Sequence, residues 1–489
     1  MLAKPEHVFD RDADWQAVVS FATDPRPQAT LGVVSGRRRQ GKTYLLSALA
    51  ERLGGFYFEA VEATEAESLR MFGAALAGHA GAPAPYAFAS WDQALSVLFA
   101  LGRDRPTPVI LDEFPYLMKA SPALPSMVQR EIDTHGPGRR SANQLRLLVC
   151  GSAMSVMGRL LSGTAPLRGR AGLELVVQPL DPGQAATFWG ITDPRLAVLV
   201  HAIVGGTPAY RREFVRDDTP DGQADFDAWV ERTVLNPRTP LFREARYLLA
   251  EEADVRDPAL YHSALAAIAD GNSTRGGIAN YIGRKAADIS HPLSVLEECA
   301  LVVREPDAFR TGRTRYRIAE PLVVFYQAIM RPQWRRLELG QAGAVWRDSQ
   351  QRFGAQVVGP HFEALCRDHA LRVGGTRFGS EPAEVLAGTV ADPAGRTQIE
   401  VDVVVLGPAT GGQRQQILAL GEAKWGHALD RRHLDRLRRA RDLLAVKGYD
   451  TRSAVLVGYG GAGANPEWAA GAGPDRVQLV DLDQLYATG

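Results

Sequence analysis

Hydrophobic positions in the first third of the chain fall into short apolar runs separated by helical patterns. Leu31–Ser35, Val109–Asp112 and Leu145–Cys150 are such runs, and Thr43–Leu53 carries apolar residues at helical spacing. Short apolar runs bounded by loops and alternating with helices predict buried parallel strands, hence an α/β sheet domain. From about Pro182 to Glu252 the pattern is helical, broken at Gly205-Gly206-Thr207-Pro208 and at Asn236-Pro237. A small all-helical extension follows from it.

Between Asp257 and Met330 the pattern predicts a helix to about Asp270, a second over Ile278–Lys285 and a third over His291–Ala300. Two extended runs follow, Leu301–Arg304 and Arg315–Ile318, separated by a polar turn with Gly312. Three short helices and a two-stranded ribbon are the layout of a winged helix-turn-helix. The last third opens with a helix around Phe353–His369, passes through several strands, returns to a helix over Leu429–Leu444 and ends on Ala454–Gly458 and Val477–Val480. This is a second α/β unit, with surface loops expected at 407–412 and 458–473. The segments are therefore 1–181, 182–254, 255–335 and 336–489, in keeping with about 150 residues per domain in a chain of 489.

Composition narrows the classes. Apolar residues make up 45% and charged residues 23%, which excludes a disordered or collagen-like chain. The 56 basic and 56 acidic residues balance, so a nucleic-acid partner would need a local patch. Cys150, Cys299 and Cys366 are far apart and lack metal-ligand spacing, and no apolar run approaches a membrane span. A reducing, cytoplasmic setting without a membrane partner is the expectation. Only six of the 56 basic residues are lysines, which makes each lysine informative.

Lys42 closes the string Gly36-Arg37-Arg38-Arg39-Gln40-Gly41-Lys42-Thr43, which fits GxxxxGK[ST] and lies between a strand and a helix, as that pattern requires. Such a loop binds ATP phosphates through its backbone amides and the helix N-terminus. Lys42 neutralises the outer phosphates and the Thr43 hydroxyl ligates Mg2+. Val109-Ile110-Leu111-Asp112-Glu113 supplies the complement: Asp112 to hold Mg2+ through water and Glu113 to orient or deprotonate the attacking water.

With these motifs the sequence resembles the archaeal-type AAA-like ATPases, P-loop proteins related to the STAND signalling NTPases. The resemblance extends to Phe9-Asp10-Arg11, Gly151-Ser152, Pro166-Leu167-Arg168-Gly169-Arg170 and Gly205-Gly206-Thr207-Pro208-Ala209-Tyr210. It implies that Ser152 senses the γ-phosphate and that Arg168 or Arg170 acts as an arginine finger. A finger acting on a neighbouring subunit would require a homo-oligomer.

The same resemblance implies a winged-helix region followed by a restriction-endonuclease-like domain of the PD-(D/E)XK type. Glu400 and Asp402 share a face of one strand, and Glu422-Ala423-Lys424 ends another, giving a D…ExK set. In such nucleases Asp402 and Glu422 would hold a second divalent metal, Lys424 would position or activate water, and Glu363 in the preceding helix would complete the acids. Basic helix 431–441, with Arg431, Arg432, Arg436, Arg438, Arg439 and Arg441, would track DNA backbone, as would wing residues Arg310, Arg313, Arg315 and Arg317. Glu297 and Glu298 on the third helix oppose such contact. The expectation is a Mg2+-dependent ATPase coupled to a DNA-binding half, with DNA cleavage if the acid set is active. The alternative is an ATP-dependent regulatory switch whose inactive nuclease-like domain binds DNA or a protein partner.

Overall fold

The computed structural model describes residues 2–135, 143–250, 257–409, 414–471 and 473–487. Two compact units emerge. One is the segment Met1–Pro179 with two short stretches from later in the chain; the other is built from Leu180–Leu248, Asp257–Glu297 and Leu301–Gly489. The helical, three-helix and C-terminal segments distinguished in the sequence thus pack as one body.

The first unit is a parallel sheet between helices. Its strands are β1 (Thr30–Ser35), β2 (Phe56–Glu59), β3 (Thr107–Asp112), β4 (Leu145–Gly151) and β5 (Ala171–Val176). They lie in the order β2-β3-β4-β1-β5, and every pairing is parallel. Strands β3 and β4 are buried throughout, which is why they read as unbroken apolar runs. One face packs Leu31, Val33, Val109, Leu111, Leu147 and Val149 against helices 65–79, 91–100 and 124–134. The other buries Val34, Ile110, Leu148 and Cys150 under helices 12–22 and 42–53. Gly32 belongs to this packing, since a Cβ there would stand 2.6 Å from Leu148.

The second unit begins with the helices Pro182–Trp189 and Pro194–Val204, capped by the side chains of Asp181 and Asp193. The Gly205-Gly206 break is explained by close approach: Leu180 N–H donates to the Gly206 carbonyl at 2.8 Å, and a Cβ on Gly206 would fall 1.9 Å from the Leu180 carbonyl oxygen. Helices Pro258–Ala269, Arg275–Ile282 and Ser290–Glu298 come next, followed by the antiparallel ribbon β6 (Val302–Asp307) and β7 (Arg310–Ile318). The second helix ends earlier than its sequence pattern, at Ile282, because Gly283 turns left-handed with φ 73°.

The C-terminal sheet contains β8 (Glu384–Asp392), β9 (Thr397–Leu406), β10 (Ile417–Lys424), β11 (Val455–Gly460) and β12 (Val477–Val480), in the order β12-β11-β10-β9-β8. Strands β8, β9 and β10 pair antiparallel, whereas β10, β11 and β12 run parallel. The helix Arg431–Val446 crosses from β10 to β11 and buries Leu434, Leu437, Ala440 and Leu444. Strand β11 and the helix Pro466–Ala470 occupy part of the span expected as loop at 458–473, while residues 410–412 of the loop expected at 407–412 lie outside the described residues.

The ribbon docks on the edge of this sheet. Ala308 N–H donates to the Ala387 carbonyl at 3.0 Å, and the Asp307 carboxylate accepts from Thr389 N–H at 3.3 Å. Phe309 meets Tyr449 edge-to-face at 5.6 Å. The ribbon turn at Ala308–Phe309, next to the wing arginines expected to contact DNA and not at Gly312 as the sequence suggested, is thus held against the edge strand β8, covering backbone that would otherwise be unpaired. Among the described residues no helix is long and apolar enough to cross a membrane.

Candidate functional site

Strand β1 delivers the chain into Gly36–Gly41, a loop that only unusual backbone conformations can form. Gly36, Arg39 and Gly41 have φ values of 152°, 70° and 88°. At Gly36 a Cβ would also lie 2.7 Å from the Val177 carbonyl oxygen. Arg11 braces the loop from outside, donating to the Gln40 carbonyl at 3.1 Å. The helix Lys42–Leu53 starts immediately afterwards, so its unsatisfied amides and positive dipole end face the loop. Lys42 is 5% exposed and donates to the carbonyls of Gly36 and Arg37 at 2.6 and 3.0 Å. Burial pulls its ammonium below the usual lysine range, opposed by Cys150, Glu113 and Asp112.

Strand β4 lies between β1 and β3, so three strand ends converge at the loop's edge of the sheet. Thr43 Oγ1 donates to Asp112 Oδ2 at 2.9 Å, and the Glu113 amide donates to Asp112 Oδ1 at 2.9 Å. A third donor reaches this carboxylate from β2: the Tyr57 hydroxyl, 2.6 Å from Oδ2. Burial and the neighbouring Asp112 push the Tyr57 phenol far above its ordinary range, which keeps it a donor. Glu113 sits in a left-handed conformation, φ 49°, strained for a residue with a side chain. Ser152, just past β4, donates to both Glu113 oxygens, at 3.0 and 3.2 Å. Arg38 joins the group, 3.4 Å from Ser152 Oγ and 3.0 Å from the Tyr116 hydroxyl.

The two finger candidates stand elsewhere. Leu31 pairs with Ala171 and Ser35 with Val176, so Arg170 lies at the N-terminal end of β5, while the phosphate loop follows the C-terminal end of β1. At ~3.3 Å per residue the two ends are about 17 Å apart. Arg170 grips Asp133 with two nitrogens, at 2.7 and 2.8 Å, and Arg168 donates to the Gly163 carbonyl at 2.6 Å.

A second cluster forms where β9 meets β10. Val403 pairs with Gly421, so one further step sets Asp402 opposite Glu422. Lys424 Nζ lies 2.9 Å from Glu422 Oε1 and 3.4 Å from Asp402 Oδ2, and Asp402 Oδ2 also accepts from Ala423 N–H at 2.9 Å. Glu422 is 1% exposed; Arg436 approaches its Oε1 at 3.3 Å, while its Oε2 has no hydrogen-bond partner. Burial and the Asp402 charge push Glu422 up, and they push Glu363 up to about 7. Burial opposes charging of Lys424, yet its acid neighbours hold it above the lysine range. Among the described residues no three Asp, Glu, His or Cys form a ready metal cage.

Most of the basic surface is already paired. Arg439 grips Asp392 at 3.0 and 2.7 Å, Arg438 and Arg441 share Asp475, and Arg432 binds Asp430. In the ribbon, Arg315 reaches Thr389 at 2.7 Å and Glu400 at 3.2 Å, and Arg317 binds Glu305 at 2.9 Å. Sequence reading missed these partners, together with Tyr57, Tyr116 and the Arg11 brace. Apart from Arg432–Asp430, these contacts join positions twelve or more residues apart in the chain, and the Phe9-Asp10-Arg11 motif does not tell which carbonyl Arg11 meets.

The first unit has the fold of the P-loop ATPases, with a separate C-terminal α/β sheet in the second. Among solved structures, the Walker-type ATPase PABY2304 of Pyrococcus abyssi superposes with a TM-score of 0.50 at 19% identity, covering 66% of this chain and 97% of that one. The ORC2 protein of Aeropyrum pernix, solved as ADPNP–ADP complexes, gives 0.40 at 16% identity, over 71% and 97%. By sequence, the uncharacterized protein MJECL04 of Methanocaldococcus jannaschii is 28% identical over 312 residues. That match spans 63% of this chain and 66% of the relative's length. No protein-family model matches.

Proposed function

We propose that the protein is a Mg2+-dependent ATPase coupled to a DNA-binding, metal-dependent nuclease-like half. The observation that carries the first part is the Thr43–Asp112 hydrogen bond of 2.9 Å beside the buried Lys42. It joins a hydroxyl and a carboxylate at the mouth of an amide-lined loop, the donor set a hydrated Mg2+ takes together with nucleotide phosphates. When bound, Mg2+ would supply charge neutralisation between the outer phosphates.

The chain's own residues divide the rest of the work. Amides of Arg37–Thr43 and the Lys42 ammonium bind the phosphates, and Asp112, held by Tyr57 and the Glu113 amide, keeps Thr43 oriented. Glu113 accepts the proton of the attacking water, with Ser152 fixing its carboxylate. Turnover of ATP, with and without single- and double-stranded DNA, tests the reading. Lys42→Ala is expected to abolish hydrolysis, and a wild-type rate in that variant would refute it.

For the second half, the support is the pairing of buried Glu422 with Asp402 and Lys424 across adjacent strands. Two carboxylates and substrate phosphate suffice for Mg2+, which needs no all-protein cage. Asp402 and Glu422 would hold the metal, with Glu363 as a protonatable neighbour. With Arg432, Arg438, Arg439 and Arg441 paired to other acids, Arg436, 3.3 Å from Glu422, is the helix arginine at the acid pair that supports contact with a DNA backbone. Lys424→Ala should lose metal-dependent cleavage and retain ATP hydrolysis. Absence of cleavage by the wild type with Mg2+ or Mn2+ would instead favour a regulatory switch with an inactive nuclease-like domain.

A further inference from the structure

We infer that Arg38, within the phosphate loop, is the arginine that stabilises charge on the transferring phosphoryl group, acting in its own chain. The inference rests on the ATPase reading and names a catalytic residue that reading leaves open. Three observations converge on it. Arg38 stands 3.4 Å from Ser152 Oγ, which itself donates to Glu113 at 3.0 Å, so its guanidinium is one hydroxyl away from the candidate base. Tyr116, which accepts from Arg38 Nη2 at 3.0 Å, belongs to the helix Phe114–Ala120 that starts right after Glu113. One strand end therefore sets both Glu113 and the anchor of Arg38. Finally, Arg170 is at the far end of β5 and bound to Asp133, so it cannot serve its own loop without leaving that pair.

In hydrolysis the water oxygen bonds to the γ-phosphorus and the bond to the β,γ-bridging oxygen breaks, its electron pair leaving with ADP. The water proton passes to Glu113 and from there to solvent. Negative charge builds on the bridging and equatorial oxygens, where a planar guanidinium can give two parallel hydrogen bonds. Arg38 reaches that position by exchanging Tyr116 and Ser152 for phosphate oxygens.

The test uses the full-length protein, with and without DNA. ATP turnover, ATP affinity and retention of labelled ADP with aluminium fluoride are measured for wild type, Arg38→Ala and Arg38→Lys. Arg38→Ala should lose kcat by on the order of 10²–10³-fold, hold ATP within about threefold of wild-type affinity and fail to retain ADP–aluminium fluoride. Arg38→Lys, which keeps the charge but not the fork, should fall between. Mixing Arg38→Ala with Lys42→Ala should not restore turnover. A wild-type kcat, normal aluminium-fluoride retention, a loss explained wholly by ATP affinity, or rescue on mixing would each overturn the inference while leaving the ATPase standing. A wild-type protein that neither binds nor hydrolyses ATP would remove both.

Discussion

Lys424 bridges two acids on neighbouring strands, its ammonium 2.9 Å from Glu422 and 3.4 Å from Asp402. Glu422 is 1% exposed, so its charge depends on that ammonium and on Arg436. Lys424→Ala should therefore weaken the fold as well as cleavage. Because Lys424 is 30% exposed, the expected cost is roughly 1–3 kcal/mol, less than for a fully buried pair. Urea unfolding at pH 7 measures it, and Lys424→Ala with Glu422→Gln should recover most of the loss, since the uncompensated charge is then gone.

Docking of the ribbon on β8 gives a steric prediction. A Cβ on Gly388 would fall 2.5 Å from the Phe309 ring and 3.1 Å from Ala308. Gly388→Ala should cost roughly 1–3 kcal/mol and loosen the ribbon. Phe309→Ala removes the obstacle, so the double variant should be more stable than the sum of the two single changes. Strict additivity in thermal melts, with unchanged proteolysis of 305–315, would show that the ribbon does not sit there.

The phosphate loop was legible because its chemistry is local: two glycines with left-handed or extreme φ, a lysine and a threonine must be adjacent in sequence. The same is true of Asp112-Glu113 and of Glu422-Ala423-Lys424, each the end of an apolar strand. What was not legible depends on register and reach. Strand β5, half-exposed at the sheet edge, lacks the apolar run that betrayed β3 and β4. Nothing in Pro166–Arg170 tells which end of the sheet it faces; the parallel pairing of β5 with β1 decides that. The arginine pattern of helix 431–446 read as an open basic face, because Asp392 and Asp475, which occupy it, come from other elements.

His201 and His361 form a buried pair, Nδ1 to Nε2 at 2.9 Å, between helices Pro194–Val204 and Gly359–Phe378. Burial lowers His201 from 6.5 to about 4, with Asp181 opposing, and burial, His201 and Arg317 hold His361 well below the usual imidazole range. Both are neutral when folded and protonate freely when unfolded. Their contribution is thus complete above about pH 6.5 and lost as pH falls toward 4. Across that window His201 alone should cost the second unit on the order of 3 kcal/mol, with His361 adding to it. His201→Leu should flatten the dependence in urea titrations at pH 7 and pH 5; an unchanged slope would refute the assignment.

Tyr57 presents the last case, since its hydroxyl converges on Asp112 together with Thr43 and the Glu113 amide. Tyr57→Phe keeps the ring and its packing but removes one donor from the Oδ2 that Thr43 shares. A hydrogen bond to a buried carboxylate contributes about 1.5–3 kcal/mol, and here it fixes the carboxylate direction that Thr43 shares. Asp112 should become less well oriented toward a hydrated Mg2+, so the Mg2+ concentration needed for half-maximal nucleotide binding should rise roughly tenfold. At saturating Mg2+, kcat should return to near the wild-type value, because Glu113 and Ser152 are untouched. A merely structural role would lower stability without moving the Mg2+ midpoint. Isothermal titration of nucleotide at graded Mg2+, beside thermal melts of the same samples, separates the two, and a midpoint unchanged in Tyr57→Phe would rule out the orienting role.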